Sequence, residues 1–168
     1  MAFCNVSFFS PALVKACAMN VILPDRQAGA GPFPTFYLLH GMSDDHTIWA
    51  RRTSIERYVE GLPLIVVMPD VGRGYYCDAA EGPAYEAHIV QDVIGFVERF
   101  LNAIPSREGR VIGGLSMGGY GAIKLALKFP DLFCSAVSHS GALAVTRRET
   151  LRPELQRPQV PPLTPHSK

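Results

Sequence analysis

Residues 111–121 read Val-Ile-Gly-Gly-Leu-Ser-Met-Gly-Gly-Tyr-Gly, VIGGLSMGGYG, and crowd five glycines around one serine. A glycine inside a regular element costs about 0.5–1 kcal/mol relative to alanine, so a cluster this dense needs a steric reason. Upstream, Arg110–Leu115 is a β-rich run. Downstream, Met117–Phe129 has helical spacing and stops at Pro130. The cluster therefore spans a strand-to-helix turn. Side chains two residues to either side of Ser116 would collide where strand and helix cross, and Gly114 and Gly118 remove them. Gly119 and Gly121, with Gly113 from the strand, are expected to let the helix lie close on a sheet.

Gly114-Leu115-Ser116-Met117-Gly118 fits G-x-S-x-G in the strand–turn–helix context that a nucleophile elbow requires, with the serine strained and exposed. The N-terminus of the following helix presents unpaired N–H groups and a positive dipole end, so the Met117 amide is placed to stabilise an oxyanion. A second donor is expected from the backbone of Met42, in the His40-Gly41-Met42 loop after the strand Thr35–Leu39. Neither G-x-x-x-x-G-K-[ST] nor G-x-G-x-x-G fits the turn, which argues against a phosphate-cradling loop.

Outward from the elbow, β-rich runs alternate with helical ones, the pattern of an α/β domain with a mainly parallel sheet. Candidate strands are Phe3–Phe8, Ala16–Leu23, Thr35–Leu39, Leu64–Met68, Arg110–Leu115 and Phe133–His139. FYLL and LIVVM are nearly continuous apolar runs, as expected of strands covered on both faces. Helical spacing runs through His46–Gly61, with Ile48, Ile55, Tyr58, Val59 and Leu62 apolar, and through Tyr85–Leu101, with Ile89, Val93, Phe96, Val97 and Phe100. At about Thr146 the composition shifts, and five prolines fall in the last stretch. The sequence thus predicts a domain over 1–145 and a disordered Pro-rich tail over 146–168.

A chain of 168 residues with 48% hydrophobic and 18% charged side chains has the make-up of one globular domain. The formal net charge is +1, with scattered basic residues, so neither a nucleic-acid nor an anionic-membrane partner is expected. Cys4, Cys17, Cys77 and Cys134 show no zinc-site or redox spacing and read as mostly buried thiols in a reducing compartment; no metal is expected. The apolar N-terminus lacks a basic region, and Pro11 interrupts it, so a cytoplasmic location is expected rather than export.

Four blocks in order, YLLHGMSDDHTIWARRTSIERY (37–58), LIVVMPDVGRGYYCD (64–78), YEAHIVQDV (85–93) and GGLSMGGYGAIKLAL (113–127), resemble the esterase branch of the α/β-hydrolase superfamily, above all the bacterial tributyrin-type esterases. The resemblance implies a three-layer α/β-hydrolase sandwich with a mostly parallel, eight-stranded sheet. It implies hydrolysis of short-chain carboxylic esters, a small-molecule ester as partner, and no cofactor. Ser116 falls at the nucleophile, the Met117 and Met42 backbones at the oxyanion hole, and Gly41 and Trp49 at the substrate site. For Trp49 a core aromatic on a helix is an equal reading.

The same resemblance implies an acid and a histidine after strands seven and eight, in the chain order Ser…Asp/Glu…His. Downstream of Ser116 the acids are Asp131, Glu149 and Glu154, and the histidines are His139 and His166. Asp131 reads as a surface turn residue, and Glu149, Glu154 and His166 fall in the tail. His139 ends the sixth strand on the Ser116 edge, where it is either a substitute base or a plain strand-end histidine. His40 is expected to shape the oxyanion loop. The sequence therefore reads as the front two-thirds of such an esterase, its sheet incomplete after about the sixth strand and its open edge available for self-association. Two alternatives stand beside the esterase: a non-catalytic remnant or binding module, and an acyltransferase or S-formylglutathione hydrolase-like thioesterase.

Overall fold

The computed structural model describes residues 1–143. The 146–168 segment, with Glu149, Glu154 and His166, lies outside the described residues. Six strands form one sheet: β1 (Ala2–Ser10), β2 (Lys15–Leu23), β3 (Thr35–Leu39), β4 (Ile65–Pro69), β5 (Arg110–Leu115) and β6 (Ser135–His139). Their order is β1-β2-β4-β3-β5-β6. Strands β4, β3, β5 and β6 pair in parallel, while the β1–β2 hairpin joins antiparallel through β2. The eight-stranded sheet implied by the resemblance is thus represented here by six strands among the described residues.

The pleat explains the apolar runs. Val21, Val67, Tyr37, Ile112 and Ala136 stand in one register row, and Ile22, Val66, Phe36, Val111 and Ser135 in the next. Alternate rows point to opposite faces. The first face packs against α3 (Tyr85–Ala87), a π turn (His88–Val93), α4 (Ile94–Phe100) and α5 (Met117–Lys128), burying Ile89, Val93, Val97, Met117 and Leu125. The second packs against α1 (Ile48–Arg52) and α2 (Ile55–Val59), with Ile55, Val59 and the partly buried Trp49 against Ile22, Leu38 and Val66. Helices on both faces make the three-layer sandwich. Among the described residues no helix is long and apolar enough to cross a membrane.

Several local expectations need correcting. The single helix over His46–Gly61 is two short helices, because Thr53 is extended (φ −135°, ψ 173°) and its hydroxyl donates back to the Trp49 carbonyl. Tyr58, Leu62 and Phe100 are exposed rather than core. Of the cysteines only Cys17 is buried, Cys134 being exposed, and all four are unpaired. β6 ends the sheet among the described residues, and on its uncovered face Val137 is exposed.

Candidate nucleophile site

The parallel strands β3, β4 and β5 end on one edge, and the chain turns there from β5 into α5 through Ser116. Ser116 has φ 55° and ψ −111°, a conformation costing about 1–3 kcal/mol that persists only where its surroundings enforce it. They do so here. The Ser116 N–H donates to the His139 carbonyl at 2.9 Å, and the Ser116 carbonyl accepts from Tyr120 at 3.0 Å and Ala142 at 3.1 Å. The side chain is exposed and makes no capping hydrogen bond.

Glycine is required around this turn for stated contacts. A Cβ on Gly118 would lie 2.3 Å from the Leu39 carbonyl oxygen and 2.7 Å from that of His40, and one on Gly114 2.6 Å from the backbone of Gly118. The two glycines flanking the serine thus let α5, β5 and the loop after β3 meet backbone to backbone. Gly119 admits the Ser138 hydroxyl and Gly141. Two other glycines differ from expectation. Gly113 accommodates the Phe36 ring on the far face, and Gly121 accommodates the Tyr76 ring, 2.3 Å from its would-be Cβ, rather than the sheet.

The loop His40-Gly41-Met42 lies against the elbow, with the would-be Cβ of Gly41 3.7 Å from the Leu115 carbonyl. His40 is buried and uses both ring nitrogens. Val71 N–H points at Nε2 at 3.1 Å, and Asp70 Oδ1 lies 3.4 Å away; the aligned amide makes Nε2 the acceptor, so Nδ1–H donates to the Gly41 carbonyl at 2.7 Å. Asp44 N–H also donates to that carbonyl, at 3.2 Å. With the Gly41 carbonyl engaged, the next N–H, that of Met42, has no acceptor among the described residues. The Met117 N–H, first in α5, is likewise without an intrahelical partner. The site therefore offers two free backbone donors beside an exposed, strained serine.

Trp49 donates its indole N–H to the Leu39 carbonyl at 3.3 Å and packs in the second core cluster, so it buttresses the end of β3. Gly41 is tight because Asp44 folds over it, its would-be Cβ 2.8 Å from Asp44 Oδ2. His139 pairs with Leu115 across β5–β6 and is exposed; its carbonyl, not its ring, contacts Ser116. Asp131 is exposed in the turn before β6. None of the four described histidines makes a hydrogen bond to the Ser116 hydroxyl. Sequence reasoning missed the rim from the loop after β4. There the Tyr75 hydroxyl lies 3.6 Å and the Arg73 guanidinium 3.9 Å from Met42 Sδ, and the Tyr75 ring meets the edge of Tyr120 at 5.9 Å. The tight Val71–Asp78 stretch, with its two glycines and paired tyrosines, was the available signal.

A parallel-centred sheet with helices on both faces, carrying a strained serine at the strand-to-helix turn, has the architecture of an α/β-hydrolase-like serine hydrolase. The chain belongs to the family described as "Putative esterase", whose profile matches residues 10–161. It is 35% identical over 139 residues to an esterase of Mycobacterium tuberculosis, covering 77% of this chain and 30% of that protein. It is 29% identical over 154 residues to an acetyl esterase of Caldicellulosiruptor saccharolyticus, covering 86% and 58%. Among solved structures it is similar to the fluorophosphonate-binding serine hydrolase F of Staphylococcus aureus, with TM-score 0.83, 34% identity and coverage of 94% of this chain and 62% of that one. The chain thus spans between about a third and three-fifths of the length of these relatives.

Proposed function

We propose that this chain carries the nucleophilic half of a serine carboxylesterase acting on short-chain esters. The observation that carries the reading is Ser116 itself, exposed at φ 55° between β5 and α5. In the proposed reaction the Ser116 hydroxyl adds to the ester carbonyl, and the oxygen that becomes negative is met by the Met117 and Met42 N–H groups. Collapse expels the alcohol and leaves an acyl-enzyme, which water hydrolyses to the acid and free Ser116. Gly41 and Trp49 support the acyl side by holding the loop and the end of β3. A general base must take the serine proton. No described imidazole is bonded to that hydroxyl, so turnover draws its base from outside residues 1–143 or from a rearranged His139.

Two relatives support the nucleophile reading by name: the esterase of M. tuberculosis, and the S. aureus protein called a fluorophosphonate-binding serine hydrolase. A second reading, a thioesterase, is favoured by the S-formylglutathione hydrolase of S. aureus, 37% identical with TM-score 0.76. Side-by-side hydrolysis of a short chromogenic ester and a thioester by the chain and by Ser116→Ala tests both. Rates equal to the mutant on both substrates contradict the proposal. The β6 edge, which carries no proline, acid, lysine or arginine and ends the sheet among the described residues, supports self-association, which sedimentation across a concentration series tests. The unpaired cysteines support a cytoplasmic location, which fractionation of the source cell tests.

A further inference from the structure

Tyr76 is buried, lies outside the elbow, and touches both the oxyanion loop and the helix that follows the elbow. Its hydroxyl donates to the His40 carbonyl at 3.0 Å. Its ring rests on α5 at Gly121, where any Cβ would strike it. Its own carbonyl accepts from Lys124 Nζ of α5 at 2.7 Å, and that ammonium is held by Glu86 at 2.5 Å, which Lys128 also reaches. Tyr75 and Tyr76 are consecutive non-glycine residues in the left-handed region, at φ 50° and 56°. Two strained residues in a row persist only where the surroundings over-determine them.

We infer that Tyr76 is a positioning residue for the oxyanion hole, keying the loop that presents the Met42 N–H to the helix that presents the Met117 N–H. The inference rests on the esterase reading above. The two donors come from different elements, β3–loop and α5, and must converge on one oxygen. Gly118 brings the backbones together, while the Tyr76 hydroxyl fixes the rotation of the His40 peptide and so the course of the loop through Gly41 to Met42. His40 fixes the same loop from its other side, through Val71 and the Gly41 carbonyl. Burial pushes the Tyr76 phenol well above its ordinary range, so it remains a donor throughout the working pH range.

The test compares the full chain with Tyr76→Phe, which keeps the ring and deletes only the hydroxyl, and with Gly121→Ala, which displaces the ring. Tyr37→Phe is the control, since Tyr37 is equally buried and its hydroxyl has no partner among the described residues. Ester hydrolysis should lose about 10- to 100-fold in kcat in Tyr76→Phe, as expected for a misplaced oxyanion donor, with KM unchanged. Gly121→Ala should show the same split and Tyr37→Phe no change. In parallel, amide exchange at Val71 and Asp44, whose N–H groups bond His40 and Gly41, should quicken in Tyr76→Phe while Val67 and Ile112 hold. An unchanged kcat, or a rise in KM with kcat intact, overturns the inference. If the parent chain hydrolyses no faster than Ser116→Ala, the esterase reading fails, and the exchange measurement alone decides the positioning claim: unaltered protection at Val71 and Asp44 overturns it.

Discussion

The molecule contains two serine-centred clusters, and they are opposites. Ser116 is exposed and strained, beside the free N–H groups of Met42 and Met117, and among the described residues no acid or histidine side chain bonds it. Ser10, at the end of β1, has both partner types, His88 and Asp92, and is sealed in the core. The Ser10 hydroxyl donates to Asp92, which also accepts from Ala12 N–H at 3.0 Å, and His88 Nδ1–H and Leu13 N–H donate to Ser10 at 2.9 and 3.2 Å. Here the carboxylate takes the serine proton bond and the imidazole is a donor, with His88 buried and Asp92 partly buried beneath the hairpin. Serine, histidine and acid together are thus not a nucleophile; exposure, backbone strain and the direction of each hydrogen bond decide. The Ser10 cluster is a fastening between the β1–β2 hairpin and the π turn.

The largest difference between the two serines is expected in catalysis. Ser116→Ala should lower ester hydrolysis by at least about 10³-fold, whereas Ser10→Ala should leave the activity per folded molecule unchanged. Loss of activity per folded molecule in Ser10→Ala would erase the distinction. Next in size are the close contacts of the elbow. Gly118→Ala forces a methyl to 2.3 Å from the Leu39 carbonyl and should cost about 2–3 kcal/mol in denaturant unfolding, with activity lost as well. Asp92→Ala leaves the Ala12 N–H and the Ser10 hydroxyl without their acceptor and should cost about 2–3 kcal/mol, with Ser116 chemistry retained in the folded fraction.

The smallest effect is in the pH profile. Burial holds His88 below its ordinary 6.5, its Nε2 having no partner among the described residues. Unfolding therefore takes up a proton at mildly acid pH, so the His88 contribution is full above pH 6.5 and is lost as pH falls through the lowered folded value. His88→Gln, with a donor but no titration, should flatten the stability slope just below pH 6.5. An unaltered slope would assign that slope to other groups.

The elbow was legible because glycine has few reasons to cluster, and G-x-S-x-G between strand and helix narrows them to one. The buried rows of β3 and β4 were legible from unbroken apolar runs, since both faces are covered. His40 was legible as a loop-shaping residue from its place before Gly41. The Tyr76 latch was not, because it joins residues 40, 76 and 121 through a hydroxyl and a missing Cβ, a coincidence of tertiary packing without a local period. Gly121 illustrates the limit: the sequence marks that space is needed, and the fold decides that a tyrosine fills it. The break at Thr53 was hidden by the continuous helical spacing on either side, since it turns on a side-chain hydroxyl competing for a backbone carbonyl.

The nucleophilic role of Ser116 is tested by fluorophosphonate labelling of the folded 168-residue chain, read by intact mass and peptide mapping beside Ser116→Ala and Ser10→Ala. A strained, exposed nucleophile at the elbow gives a single adduct on Ser116, absent from Ser116→Ala and retained in Ser10→Ala. A folded chain that takes no adduct, or an adduct that survives in Ser116→Ala, would contradict that role.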